Sequence, residues 1–193
     1  MVTYDSKPFH TMCLLLSVLG CKFKPQLTGK LFEKVSGEVI KNYINGNVIV
    51  CGFPKKISIK DLASNLNETF NHGPKKYAKD CGLDVISWKS FEDKRGGQIV
   101  ILFQSSSGDN WKTKLSDLSI SHWHMYIEWC CYELVKGFTF PYIITDIDDF
   151  KHYSRRGGIL FDRSRIYRNI SNIPTDLNTQ ILTWCNNLLR SLR

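Results

Sequence analysis

Two short apolar runs flanking a compact turn constrain this chain more than any other feature. Leu83-Asp84-Val85-Ile86-Ser87-Trp88 and Gln98-Ile99-Val100-Ile101-Leu102-Phe103-Gln104 are rich in β-branched and aromatic residues. Between them, Asp93-Lys94-Arg95-Gly96-Gly97 is turn chemistry. The pattern predicts an antiparallel β-hairpin over 83–89 and 98–104.

Helical periodicity surrounds that hairpin. Phe9, Met12, Cys13, Leu16 and Leu19 fall at helical spacing within residues 8–20, and Leu31, Val35, Val39, Ile40 and Tyr43 do so within 27–43. Asn45-Gly46 turns the second helix into a strand over 47–53, stopped by Pro54. Ser58 caps a third helix running to about Phe70, with Asp61 in its first turn. After the hairpin, 111–136 is mostly helical with an interruption near Ser119–Ser121. Phe138–Thr145 is a strand, 146–153 is polar and helical, and Gly157–Phe161 is a last strand. Pro174 opens a final helix. The expected class is α/β: a central mixed sheet with a β-hairpin core flanked by helices, and a helical N-terminal layer. One domain spans 1–193, with the helical layer at 1–45, the α/β core at 46–170 and the terminal helix at 171–193.

Composition narrows the function classes. Among 193 residues, 42% are hydrophobic and 12% aromatic, which supports a packed core and excludes wholesale disorder. No run approaches the ~20 apolar residues of a membrane span, so no membrane partner is expected. The formal net charge of +8 favours a polyanionic partner. The excess sits on the flanks, with 12 basic against 6 acidic residues over 1–80 and 8 against 5 over 146–193, whereas 81–145 carries 6 against 7. Seven cysteines, two of them adjacent at Cys130-Cys131, fit no disulfide framework and point to reduced thiols in the cytoplasm. Ser17-Val18-Leu19-Gly20-Cys21 has the outline of a lipoprotein cleavage site, but a buried amphipathic helix accounts for the run.

Pairing within the hairpin decides where its polar ends lie. With a residue-number sum near 187 or 188, Asp84 stands opposite position 103 or 104. In the 188 register Asp84, Ile86 and Trp88 share a face with Gln104, Leu102 and Val100. An Asp and a Gln together at the end of an apolar face are costly unless something uses them. A slip of one residue sends them to opposite faces.

Gly82-Leu83-Asp84-Val85-Ile86-Ser87-Trp88, the Arg95-Gly96-Gly97 turn and the Ile99–Gln104 strand together resemble the core hairpin of the PD-(D/E)XK, or restriction-endonuclease-like, nuclease superfamily. The resemblance covers roughly residues 31–145. It implies that Asp84 is the motif Asp, that Gln104 stands in the Lys position, and that Glu68 is the helix Glu completing the metal site. The chain departs from the pattern at Leu102, where an acidic residue is expected. Asp84 and Glu68 would then hold Mg²⁺ or Mn²⁺, with Asp80 in reserve. The implied activity is metal-assisted phosphodiester hydrolysis, as in prokaryotic DNA endonucleases of restriction and phage defence. Gln104 would orient the attacking water. The alternative is a catalytically inactive nucleic-acid-binding or assembly subunit that keeps the nuclease fold. DNA is favoured over RNA as partner, and a homodimer or a larger protein complex is compatible with both readings.

Other motifs admit plainer readings beside a functional one. Ser105–Lys114 leaves the second strand and opens a helix, where backbone N–H groups with Lys112 and Lys114 would suit phosphate; a capped polar loop explains it equally. Arg155, Arg156, Arg163, Arg165 and Arg168 are candidate nucleic-acid contacts, although ion-paired surface segments look alike. Lys55-Lys56 and Lys75-Lys76 share that ambiguity. His122-Trp123-His124 near Cys130-Cys131 lacks the spacing of a structural zinc site. Met125, Trp129 and Tyr132 instead fit the core face of a helix.

Overall fold

The computed structural model describes residues 8–52, 57–73, 82–170 and 173–192. Helix α1 (Pro8–Leu19) precedes α2 (Pro25–Ile44), which Pro25 opens where a missing N–H costs nothing. Asn45, with φ 46°, closes α2 in the left-handed conformation and turns the chain into strand β1 (Asn47–Val50). Then follow α3 (Ile59–Asn65), the two-residue β2 (Thr69–Phe70), and the hairpin strands β3 (Val85–Lys89) and β4 (Ile99–Ser105). The second half runs α4 (Trp111–Lys114), α5 (Ile120–Tyr126), β5 (Ile127–Glu128), β6 (Val135–Thr139), α6 (Ile147–Gly157), β7 (Ile159–Phe161), α7 (Arg163–Asn169) and α8 (Thr175–Ser191).

Five strands form one mixed sheet in the order β1-β3-β4-β6-β7, so the fold is α/β with the hairpin at its centre. β1, β3 and β4 pair antiparallel, while β6 and β7 add in parallel. Alternation along the strands sorts the core into two sides. On one side Val85, Ile101, Phe103 and Phe161 pack with α1, α2, α7 and α8, through Met12, Leu16, Phe32, Val35, Ile166 and Trp184. On the other, Ile86, Trp88, Val100 and Leu102 meet α3 and Trp123, while Phe138 and Leu160 pack with Trp111 and Leu115.

The hairpin register is the one with sum 188: Val85 faces Phe103 and Trp88 faces Val100. The ladder ends at Val85 and Phe103: beyond it Asp84 N–H donates to Phe103 O and Asp84 Oδ2 accepts from Ser105 N–H, which ties Asp84 to the end of β4 where Gln104 and Ser105 lie. Gly137 marks a close crossing on β6, because the Phe103 ring occupies the space a Cβ would take there. Gly137→Ala is therefore expected to overpack the central strands and cost at least ~1–3 kcal/mol, read as a lower urea midpoint with an unchanged m-value.

The structure departs from the sequence pattern at several places. The third helix does not reach Phe70. It ends at Asn65, and Asn67, with φ 54°, reverses the chain so that Glu68 lies in the link to β2 rather than on a helix. The stretch 111–136 is helical only over α4 and α5, because Ile127 leaves the helix to pair with Phe70 in a separate two-stranded ladder. As a result Met125 and Tyr132 are exposed while Trp129 is buried, and no helical core face joins the three. β6 begins at Val135 and ends before Pro141, which cannot donate to a ladder. Asp80, Lys55-Lys56, Lys75-Lys76 and the end of the first predicted strand lie outside the described residues.

The buried thiols make stability depend on alkaline pH. Burial pushes Cys13 and Cys185 up to about 12 each, from an ordinary value near 9. The folded state keeps both protonated while an unfolded chain ionises them, so their contribution is full below pH ~9 and is lost as pH climbs towards ~12. Melting temperature is expected to fall progressively across that window, and less steeply in the Cys13→Ala variant measured against its own neutral-pH value.

Candidate functional site

The cavity that best fits chemistry opens at the end of β4 and encloses about 700 Å³. Its walls come from four segments. Pro25, Gly29 and Glu33 of α2 are spaced four residues apart and so present one helix face to it. Gly82 and Asp84 enter β3, Gln104–Gly108 leave β4, and Asn110, Lys114 and Asp117 follow. The glycines and serines keep side chains short along this lining, so a bulky ligand can approach the carboxylates.

Backbone geometry fixes Asp84. Its N–H donates to Phe103 O at 3.0 Å, its carbonyl accepts from Cys51 N–H at 2.8 Å, and Oδ2 accepts from Ser105 N–H at 2.7 Å. The side chain is thus tied to the strand that carries Gln104. Glu33 comes to the same cavity from α2. Its Oε2 lies 3.0 Å from where a Cβ on Gly52 would stand, and Gly52 follows Cys51, the backbone partner of Asp84. A buried hydroxyl chain holds α2 in place one turn beyond Glu33: Ser36 Oγ is 2.7 Å from Thr139 Oγ1, which is 2.7 Å from Ser105 Oγ.

Two polar atoms in this cavity have no partner. Gln104 is only 6% exposed, yet its Oε1 makes no hydrogen bond, and the same is true of Ser106 Oγ. Leaving a buried polar atom unsatisfied costs about 1–3 kcal/mol, a cost that functional sites carry when a ligand supplies the missing bond. Two carboxylates and a side-chain amide oxygen make a hard-oxygen donor set. That set suits Mg²⁺, which commonly takes one or two carboxylates and fills its remaining positions with water and substrate. Asp117 is a third carboxylate on the lining, but among the described residues no group of three His, Cys, Asp or Glu side chains is placed to hold a metal together.

Glu68 is not part of the site. Its Oε1 accepts from Gly97 N–H at 3.1 Å and its Oε2 from Cys130 N–H at 2.8 Å, and its carboxylate raises the Cys130 thiol by hydrogen bonding and charge. Gly97 lies at the turn end of the hairpin. Seven residues of extended chain, at ~3.3 Å each, place it roughly 23 Å from Gln104. The structure does not bring together the carboxylates expected from the sequence, Asp84 and Glu68; Asp84 shares its cavity with Glu33 and Asp117 instead. The missed residue had a signal: Gly29 and Glu33 share a face of the long helix that enters the sheet, one position from the apolar stripe.

The basic candidates separate. Lys114 lines the cavity and is the one Lys or Arg among its described lining residues. Lys112 points away, its Nζ 5.2 Å from the Tyr153 ring centre and 5.8 Å from that of Trp111. α4 has only four residues, and Asn110 makes no side-chain cap bond, so the expected helix-start phosphate site is not formed. Arg155 and Arg156 are exposed in the last turn of α6, where they complement the helix dipole. Arg165 is committed to the fold, donating to Leu160 O at 2.9 Å with its guanidinium 4.5 Å from the Phe150 ring centre. Arg163 donates to Ser17 Oγ at 2.9 Å. Leu102 is fully buried in the core. Compared with protein-family models, curated proteins and solved structures, the chain finds no match. Among the described residues no helix is long and apolar enough to cross a membrane.

Proposed function

We propose that this protein is a divalent-metal-dependent nuclease of restriction-endonuclease-like fold that hydrolyses phosphodiester bonds, with DNA as the favoured substrate. The observation that carries the reading is the meeting of Asp84, Glu33 and the buried, unpartnered Gln104 Oε1 in one open cavity at the end of the central hairpin. The order of elements supports it: a long helix, three antiparallel strands with an Asp entering the middle one, then a helix and a parallel strand. Glu33 and Asp84 would hold Mg²⁺ or Mn²⁺, and Gln104 would bind the ion or the attacking water. A metal ion there supplies a nucleophilic water of lowered pKa and charge compensation at the phosphate. Lys114 brings the positive charge that a lysine in the Gln104 position would have brought, and its ammonium suits a phosphate oxygen as a point charge.

The test is cleavage of duplex and single-stranded DNA, and of RNA, by the purified protein in Mg²⁺ and in Mn²⁺. Lys114→Met is expected to lower the cleavage rate ~10-fold or more at saturating DNA, as loss of ~1.4 kcal/mol of transition-state stabilisation requires. Leu102 favours a second reading, since a core leucine replaces one acidic ligand. Metal-independent DNA binding without cleavage under every condition selects that non-catalytic subunit.

A further inference from the structure

A second cavity, about 440 Å³, opens between α1 and α7 and carries a different chemistry. Arg163 and Arg168 line it with His10, Ser164 and Tyr167, and no acidic residue is among its described lining residues. Neither arginine forms an ion pair among the described residues. The one carboxylate beside them in sequence, Asp162, is buried and committed, accepting from Arg165 N–H at 2.9 Å and from Ser164 Oγ at 2.8 Å. Arg163 is held in place rather than waving in solvent: Nη1 donates to Ser17 Oγ, and its backbone N–H donates to Tyr142 O at 2.9 Å. Two arginines lining one concave surface that has no carboxylate among its described lining residues make a phosphate receptor, because planar donor forks match phosphate oxygens.

Position links this cavity to the first. Ser17, which anchors Arg163, lies four residues before Cys21, which lines the Asp84 cavity, so about one turn of chain separates them. Tyr142 bridges the same gap: its carbonyl receives Arg163, and its buried hydroxyl, without a hydrogen-bond partner, stands near Asp109 and Cys21.

We propose that the α1–α7 cavity is a second phosphate-binding site, occupied by the backbone of the polynucleotide strand whose neighbouring phosphate lies in the Asp84 cavity. The identity of the occupant rests on the nuclease reading; the affinity for phosphate does not. Arg168 contributes a contact to phosphate rather than to a base, so its loss weakens binding about equally for all sequences.

The experiment measures binding of mixed-sequence DNA in EDTA across a range of NaCl concentrations, for wild type, Arg168→Ala and Arg168→Glu, with Lys60→Ala as an equal-charge control on α3. Arg168→Ala is expected to reduce the slope of log K against log salt by about 1. Arg168→Glu is expected to weaken binding further, and Lys60→Ala to keep the wild-type slope. In parallel, inorganic pyrophosphate is titrated into the wild type while the ring signals of His10 and Tyr167 are followed by NMR; saturable shifts are expected, and they vanish in Arg168→Glu. A wild type that cleaves DNA while Arg168→Ala retains the full salt slope overturns the second site and leaves the nuclease reading standing. Absence of cleavage, with the Arg168 effect and the pyrophosphate shifts present, removes the nuclease reading and leaves the phosphate site. Absence of both DNA binding and pyrophosphate shifts overturns the site outright.

Discussion

In Mg²⁺, Asp84→Asn is expected to cleave DNA at least ~10²–10³-fold more slowly than wild type, a loss of roughly 3–4 kcal/mol of transition-state stabilisation. The asparagine is the informative replacement. Its side-chain oxygen can still accept the Ser105 N–H that Asp84 Oδ2 takes at 2.7 Å, so the end of the hairpin keeps its local bond. What disappears is the negative charge, the feature a divalent ion requires. Thermal melting of the variant should stay near that of wild type, and metal-free DNA binding should persist, because basic side chains outside the carboxylate pair carry it. A variant that cuts at the wild-type rate removes Asp84 from the mechanism and with it this cavity as the metal site.

The second large effect is a crossed pair of substitutions that separates two glutamates. Glu33→Gln is expected to lower Mg²⁺-dependent cleavage ~10²-fold, and to raise the Mg²⁺ concentration needed for half-maximal rate, with little change in stability. Glu68→Ala is expected to do the reverse. Losing a carboxylate that accepts from Gly97 N–H and Cys130 N–H costs about 1–3 kcal/mol of folding stability, while the rate per folded molecule stays unchanged. Guanidinium unfolding and single-turnover cleavage, measured on both variants, read the two effects independently. If Glu68→Ala lost activity in a stable fold and Glu33→Gln did not, the assignment of the carboxylate pair would be reversed.

Glu68 shows where reading along the chain misleads. The segment after Ser58 has a cap and apolar periodicity, both local signals, and these correctly predict that a helix begins. Its end depends on Asn67 adopting a positive φ and on Phe70 finding Ile127 across a ladder, a partner 57 positions away. No local pattern encodes that pairing. The same ladder shortens the helix after Ile120 and leaves Met125 and Tyr132 exposed, so one long-range contact accounts for two departures. The arginine cluster behaves similarly. Five arginines within fourteen residues look equivalent in sequence, yet Arg165 is spent on Leu160 O and the Phe150 ring, while Arg163 and Arg168 share a cavity.

The sequence by itself determined the α/β class, the two N-terminal helices and the hairpin. Each of these follows from periodicity, turn chemistry and capping within a few residues, or from a pairing that a short turn restricts to two registers. Burial chose between those registers, because only the sum of 188 keeps Ile86, Trp88, Val100 and Leu102 together on one covered face. The tertiary structure alone decided which glutamate joins Asp84. α2 is packed against the sheet by Leu31, Val35 and Val39 and pinned by the Ser36–Thr139–Ser105 hydroxyl chain. That packing sets the rotation of the helix, and rotation, which no stretch of sequence specifies without its neighbours, is what directs Glu33 into the cavity at the end of β4.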